Sequence, residues 1–155
     1  MQFSSKEDID APIERVFVLL SDFELFERSA IRRGIDVRRL TEITQLAAGA
    51  AWQADFRMRG KPRRMRLELV VHEPPHAMVF AGDSQGIDTR LTLDLIALSP
   101  RRTRMAVVLN LTPKTLSARL MIQSLRLAKA NLSKRFKLKA AEYARSLENR
   151  AQRSG

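Results

Sequence analysis

From Ala51 onward the chain alternates apolar and polar side chains with period two, and near residue 115 that alternation gives way to a helical period. Trp52, Ala54, Phe56 and Met58 alternate with Gln53, Asp55, Arg57 and Arg59, and Gly60-Lys61-Pro62 supplies a turn. Beyond it Met65, Leu67, Leu69 and Val71 alternate with Arg64, Arg66 and Glu68, which predicts a hairpin with one wet face, closed by Pro74-Pro75. Residues 77 to 81 read as a short strand and residues 82 to 86 as a turn. Leu91, Leu93 and Leu95 define the next strand, and Met105, Val107, Leu109 and Leu111 the last, with Ser99-Pro100-Arg101 between them.

The flanks differ in period. Residues 3 to 9 predict a first strand, stopped by Asp10-Ala11-Pro12, with Asp10 as N-cap and Pro12 in the first turn of a helix. Ile13, Val16, Phe17 and Leu20 then recur at helical spacing, and Ser21-Asp22 ends that helix and caps a second carrying Phe23, Phe26 and Ala30. Residues 35 to 43 form a weaker strand, and residues 47 to 50 a loop. Thr112-Pro113 opens a final helix some thirty residues long, whose main stripe is Met121, Leu125, Ala128, Leu132, Phe136, Tyr143 and Leu147. Leu116, Leu120, Leu127 and Leu138 fall on another side, so a second face of that helix is expected to be touched by the short helices or by another subunit. The order predicts an α+β fold: a seven-stranded curved antiparallel sheet wrapped around a long C-terminal helix, with two short helices between strands 1 and 2. A sheet bent around a helix leaves a concave apolar interior, a common setting for small-molecule sites.

The length of 155 residues suits one domain, expected over residues 1–150, with the pattern fading after Leu147 into a basic and polar tail at 151–155. No cysteine is present, which removes disulfides, thiol nucleophiles and thiolate metal sites. The first residues lack the basic and apolar regions of a secretory signal, and no apolar stretch reaches the roughly 18 residues of a membrane span, so cytoplasmic residence is the default expectation. The net charge of +11 is uneven: residues 1–30 hold three basic and seven acidic side chains, leaving 25 basic against 10 acidic, or +15, for the remainder. Such a field attracts anionic surfaces, whether acidic lipid, nucleic acid or ribosome.

Three local signatures carry a resemblance. The run Ile9-Asp10-Ala11-Pro12-Ile13-Glu14-Arg15-Val16-Phe17 resembles the strand-end opening I-x-A-P-x-x-x-V-[WF] of the START-like superfamily, also called SRPBCC. Leu20-Ser21-Asp22 resembles its L-x-D helix end, and Gly49-Ala50-Ala51-Trp52 its G-x-x-W strand start. The resemblance spans roughly residues 2 to 147 and implies the helix-grip fold of polyketide cyclase/dehydrase-like and lipid-transport proteins. It also implies a cavity between sheet and final helix, entered near the short helices and the loops at 47–50 and 82–86. The inward positions expected to line it are Trp52, Phe56, Met65, Leu67, Leu69, Leu91, Leu93, Met105, Val107 and Leu109, facing Leu125, Leu132, Phe136 and Tyr143.

That set is almost wholly apolar, and the polar candidates form no catalytic motif. Asp55 and Asp94 sit at outward strand positions beside arginines, as in a solvent-face ladder. His72 and His76 are four apart, but Pro74 and Pro75 exclude the helix a metal pair at that spacing needs, so both read as turn histidines. Tyr143 falls on the core stripe, and residues 82 to 86 lack the helix and lysine of a phosphate loop. The leading expectation is a non-catalytic binding or carrier protein for a hydrophobic small molecule such as a lipid, quinone or polyketide-like ring, without cofactor or metal. The alternatives are a cyclase/dehydratase-like enzyme using the same cavity and a protein that interacts with RNA or the ribosome. Two clusters carry the basic charge: Arg57, Arg59, Lys61, Arg63, Arg64 and Arg66 on one hairpin, and the cations between Lys114 and Lys139, where no acid occurs. An anionic membrane surface fits them, and nucleic acid fits less well because the aromatics sit on core faces and not among the basic groups. The sequence leaves monomer or homodimer open.

Overall fold

A computed structural model describes residues 1–58 and 60–153, so Arg59 of the basic hairpin and the last two residues of the tail lie outside the described residues. The elements follow in the order β1 (Gln2–Ile9), α1 (Ile13–Leu20), α2 (Phe23–Arg32), β2 (Asp36–Arg39), β3 (Ala51–Met58), β4 (Lys61–Glu73), β5 (Ala77–Ser84), β6 (Ile87–Ser99), β7 (Arg102–Pro113), α3 (Leu116–Arg126) and α4 (Lys129–Arg153). All seven strands join one antiparallel sheet in the order β1-β7-β6-β5-β4-β3-β2. The α+β architecture expected from the alternation is the one observed.

The register explains which side chains share the inner face. Phe3 lies opposite Leu109, Leu91 opposite Leu109, Leu93 opposite Val107, Phe80 opposite Leu91, and Trp52 opposite Leu67. The outer face is wet and charged: Asp55 lies directly opposite Arg64 and pairs with it at 2.8 Å, and Asp8 lies opposite Arg104 and pairs at 2.9 Å. Each arginine holds its partner's carboxyl below the ordinary carboxylate range.

Helices α1, α2 and α4 cover the inner face unevenly. α1 buries Ile13, Val16, Phe17 and Leu20, and α4 packs against β1 and α1. The packing face of α4 is Ala140, Ala144, Leu147 and Ala151, at helical spacing. Three of the four are alanine, which lets the helix approach its neighbours closely. α2 sits at the opposite end of the sheet, against β2. Between α2 and α4 the helices stand off from the middle of the sheet and leave a space.

Several expectations are corrected. The final helix is two helices: α3 ends at Arg126, and α4 starts at Lys129 after Leu127-Ala128. Thr112 and Pro113 belong to β7, and the N-cap is Thr115, whose side chain accepts from the Ala118 amide at 3.1 Å. Gly86, at φ +82°, holds the β5–β6 turn so close to Thr115 that any side chain there would collide with it, and its carbonyl accepts from the Lys114 amide. Gly82 and Asp83 lie within β5, so the turn is confined to Gln85-Gly86. Asp10 does not cap α1; Pro12 holds the cap position, with no side-chain hydrogen bond there. Asp22 does cap α2, accepting from the Leu25 amide at 3.1 Å. β2 is only four residues long, and beyond it Ile43 and Leu46 are buried in the core outside any strand. α4 continues past Leu147 to Arg153, so residues 151 to 153 are helix and not tail.

Candidate functional site

The space over the middle of the sheet is a hollow of about 490 Å³, bounded by α2, α4 and strands β3 to β7. Its floor is Trp52, Leu67, Phe80, Leu91, Leu93, Met105 and Val107; α2 contributes Phe23, Leu25, Phe26 and Ala30, and α4 contributes Phe136, Ala140 and Tyr143. Arg32 and Arg33 on one side, with Lys139 and Glu142 on the other, are the exposed charged side chains of the lining, and Phe26 of α2 is exposed with them, so the mouth opens between α2 and α4. The volume falls in the range of small-molecule sites.

Aromatic contacts prop both sides of this space. At the β3 end Phe26 meets Trp52 edge-on at 5.8 Å between centroids and stacks with Phe80 at 6.2 Å, while at the β1 end Phe3 contacts Phe136 at 5.9 Å. These rings fix α2 and α4 to opposite strands and keep the helices apart.

A polar clamp braces the β3 side. Trp52 is almost fully buried, and its indole N–H must find an acceptor. It donates to Glu27 Oε2 at 3.0 Å, and the same carboxylate takes a bidentate pair of hydrogen bonds from Arg39 at 2.8 and 2.9 Å. Arg39 in turn lies 4.9 Å above the Phe23 ring. The Arg39 guanidinium, and then the Trp52 indole, hold the Glu27 carboxyl below its ordinary range. The sequence reading missed Glu27; the signal that could have found it is the single tryptophan, a buried donor in want of a partner.

Of the fourteen expected lining residues, Trp52, Leu67, Leu91, Leu93, Met105, Val107, Phe136 and Tyr143 meet around the hollow. The other six do not line it. Leu69 is sealed in the core. Met65 lies against Gly82, and Phe56 lies opposite Arg63 in a separate surface depression. Leu109 sits in β7 between its cross-strand neighbours Phe3 and Leu91, and Leu125 and Leu132 lie half-buried on α3 and the start of α4. Parity puts all ten strand residues on one face, but only the middle of that face borders the hollow. Phe80 and the α2 side chains were missed, Phe80 because its short strand Ala77–Ser84 mixes glycine and alanine with the apolar residues. The loops at 47–50 and 82–86, expected at the entrance, do not contribute to the lining.

His76 occupies the β4–β5 turn as expected; His72 does not. The register of β4 shifts between Leu69 and Val71, which turns His72 to lie opposite the buried Met78. There it contacts the Phe17 ring at 5.2 Å and Ser21 Oγ at 3.3 Å, and desolvation lowers its pKa. A serine beside an imidazole is a nucleophile–base arrangement only when a third group orients the base and a substrate can reach it. Neither Ser21 nor His72 lines the hollow, and the contact ties the end of α1 to β4. Burial raises the pKa of Tyr143, keeping its phenol protonated. Among the described residues no group of three His, Cys, Asp or Glu side chains could hold a metal ion.

No sequence family and no curated protein matches the chain. Solved structures do. A protein of Thermus thermophilus superposes over 100% of this chain and 99% of its own, with a TM-score of 0.64 at 16% identity. The Zhui aromatase/cyclase of Streptomyces sp. R1128 covers 99% of this chain and 94% of its own, with a TM-score of 0.64 at 11% identity. A START superfamily protein of Mycobacterium smegmatis covers 86% and 95%, with a TM-score of 0.57 at 15% identity. At these identities the likeness is one of fold: the chain has the START-like helix-grip fold.

Proposed function

We propose that the protein binds and carries a hydrophobic small molecule in the hollow between the sheet, α2 and α4. The observation that carries this reading is an open space of about 490 Å³ whose floor is built from aromatic and aliphatic side chains. Dispersion and the loss of apolar surface to water drive binding in such a site, and a few polar groups orient the guest. Here those groups are few: Arg33 and Lys139 stand at the rim of the mouth, and Tyr143 and Ser146 belong to the same lining. The guest suited to that asymmetry has an apolar ring or chain placed over Leu91 and Leu93 and a polar end directed outward.

The likeness to an aromatase/cyclase favours a ring-shaped guest and supplies the second reading, an enzyme acting on a polyketide-like substrate in the same space. Proton transfer requires an acid and a base within hydrogen-bond reach of the guest. The titratable lining groups Arg32, Arg33, Lys139, Glu142, Tyr143 and Arg150 include one carboxylate, exposed at the rim, and no histidine. That supports binding without chemistry.

Native mass spectrometry of the purified protein, with solvent extraction of what it carries, tests the reading. A bound apolar molecule, together with a saturable change in Trp52 fluorescence when an apolar ring compound is added, is the expected result. An empty protein whose tryptophan responds to no such probe would end the proposal.

A further inference from the structure

Helix α3 carries an apolar ridge that the fold does not use. Leu116, Leu120 and Leu127 are 74%, 59% and 91% exposed. At about 100° per residue they fall within roughly 40° of one another, and Leu127 keeps helical backbone angles at φ −64° and ψ −27°. Ala118, Ile122 and Leu125 point the opposite way, and α3 buries Ala118 and Ile122 where it packs on β7. The ridge is therefore the outer crest of a docked helix, and of the two coverings the sequence left open, the short helices α1 and α2 do not supply one.

The charge along α3 and into the start of α4 is of one sign. Arg119 and Arg126 lie on one flank and Lys129 opens α4 just beyond. No aspartate or glutamate occurs between Asp94 and Glu142, and Lys114, before the helix, is paired with Asp88 at 2.9 Å. An exposed leucine crest bordered by cations is the pattern of a helix that lies in the headgroup region of a bilayer. A second copy of the chain would bring the same cations face to face. Phosphates of a nucleic acid would satisfy the cations but leave the leucines in water, and no aromatic residue stands on α3 to stack with bases.

We propose that α3 seats the protein on an anionic lipid surface, with Leu116, Leu120 and Leu127 sunk among the acyl chains near the headgroups and Arg119, Arg126 and Lys129 against the lipid phosphates. This goes beyond the cavity reading and does not rest on it. Because the chain has no cysteine, a single Leu120→Cys substitution gives one labelling position for an environment-sensitive dye.

Vesicle flotation with pure phosphatidylcholine and with phosphatidylcholine containing phosphatidylglycerol is the experiment. Wild-type protein is expected to float with the anionic vesicles and not the neutral ones, and the dye at position 120 to shift to the blue. The Leu116→Ser/Leu120→Ser/Leu127→Ser variant, changed only at exposed positions, is expected to keep its melting temperature and its binding of apolar probe while losing at least tenfold in vesicle affinity. The Arg119→Gln/Arg126→Gln/Lys129→Gln variant is expected to lose the preference for anionic lipid. Three outcomes would overturn the proposal: no flotation of the wild type, full affinity in the serine variant, or a wild-type dimer that the serine variant dissolves. Loss of apolar-probe binding by the wild type would count against the cavity and leave this proposal standing.

Discussion

Two apolar surfaces of the molecule, the hollow and the α3 crest, differ in shape. The hollow is concave, ringed by Trp52, Phe26, Phe80 and Phe136, and open at one mouth; the α3 crest is convex, with Leu116, Leu120 and Leu127 standing in solvent. Concave apolar surface can enclose a small guest, whereas a convex crest gains only from something extended that covers it. The same leucine chemistry thus points to a molecule in one place and a surface in the other.

The largest effect expected from testing this contrast is on stability. Leu147, fully buried where α4 meets its neighbours, should cost about 2 to 5 kcal/mol when changed to alanine, whereas Leu127→Ala should stay within about 0.5 kcal/mol. Urea denaturation of both variants measures the difference, and equal losses would mean that the crest is packed after all.

The clamp around Trp52 comes next. Glu27→Ala leaves a buried indole N–H without its acceptor and frees Arg39, at an expected cost of about 1 to 3 kcal/mol, read from thermal melts. The folded-state pKa of Glu27 is depressed, so its contribution is complete above the unfolded value near 4.5 and is lost as pH falls through the folded value. The variant should therefore lose part of the acid sensitivity below pH 4.5. Glu27→Gln, which keeps an acceptor for the indole, should recover some of the stability.

A filling substitution separates hollow from core. In a packed interior, enlarging two side chains costs about 1 to 3 kcal/mol, but Leu67→Phe with Leu91→Phe projects into open space and should cost less than about 1 kcal/mol. Denaturant midpoints decide it.

The smallest effect concerns His72. Its lowered pKa means that the unfolded chain binds the proton first, so stability is full above about 6.5 and declines as pH falls below that value. His72→Phe should flatten the melting temperature between pH 6.5 and 5.

How much of this was written in the chain follows from the same contrast. Strict alternation in β6 and β7 made the inner face readable, since period two assigns a side from sequence alone. It could not say which part of that face a helix covers, which is why Leu69 and Leu109 were grouped with Leu91 and Leu93. The shift between Leu69 and Val71 reversed the facing of His72, and a bulge of that kind leaves no periodic mark. Along the final helices the leucines stand out in the hydrophobic pattern, whereas α4 packs largely through Ala140, Ala144 and Ala151. Alanine is the residue that close helix approach selects and that hydrophobic patterning weighs least. The stripe of Leu116, Leu120 and Leu127 was visible in the sequence, but its exposure is a property of where β7 delivers α3.

Titration calorimetry with 1-aminoanthracene, an apolar three-ring compound with a single amine, tests the central claim most directly. The hollow predicts one saturable site per chain in the wild type, weakened at least tenfold in the Leu67→Phe/Leu91→Phe variant and unchanged in the α3 serine variant. No heat of binding in the wild type, or equal binding in the filled variant, would contradict it.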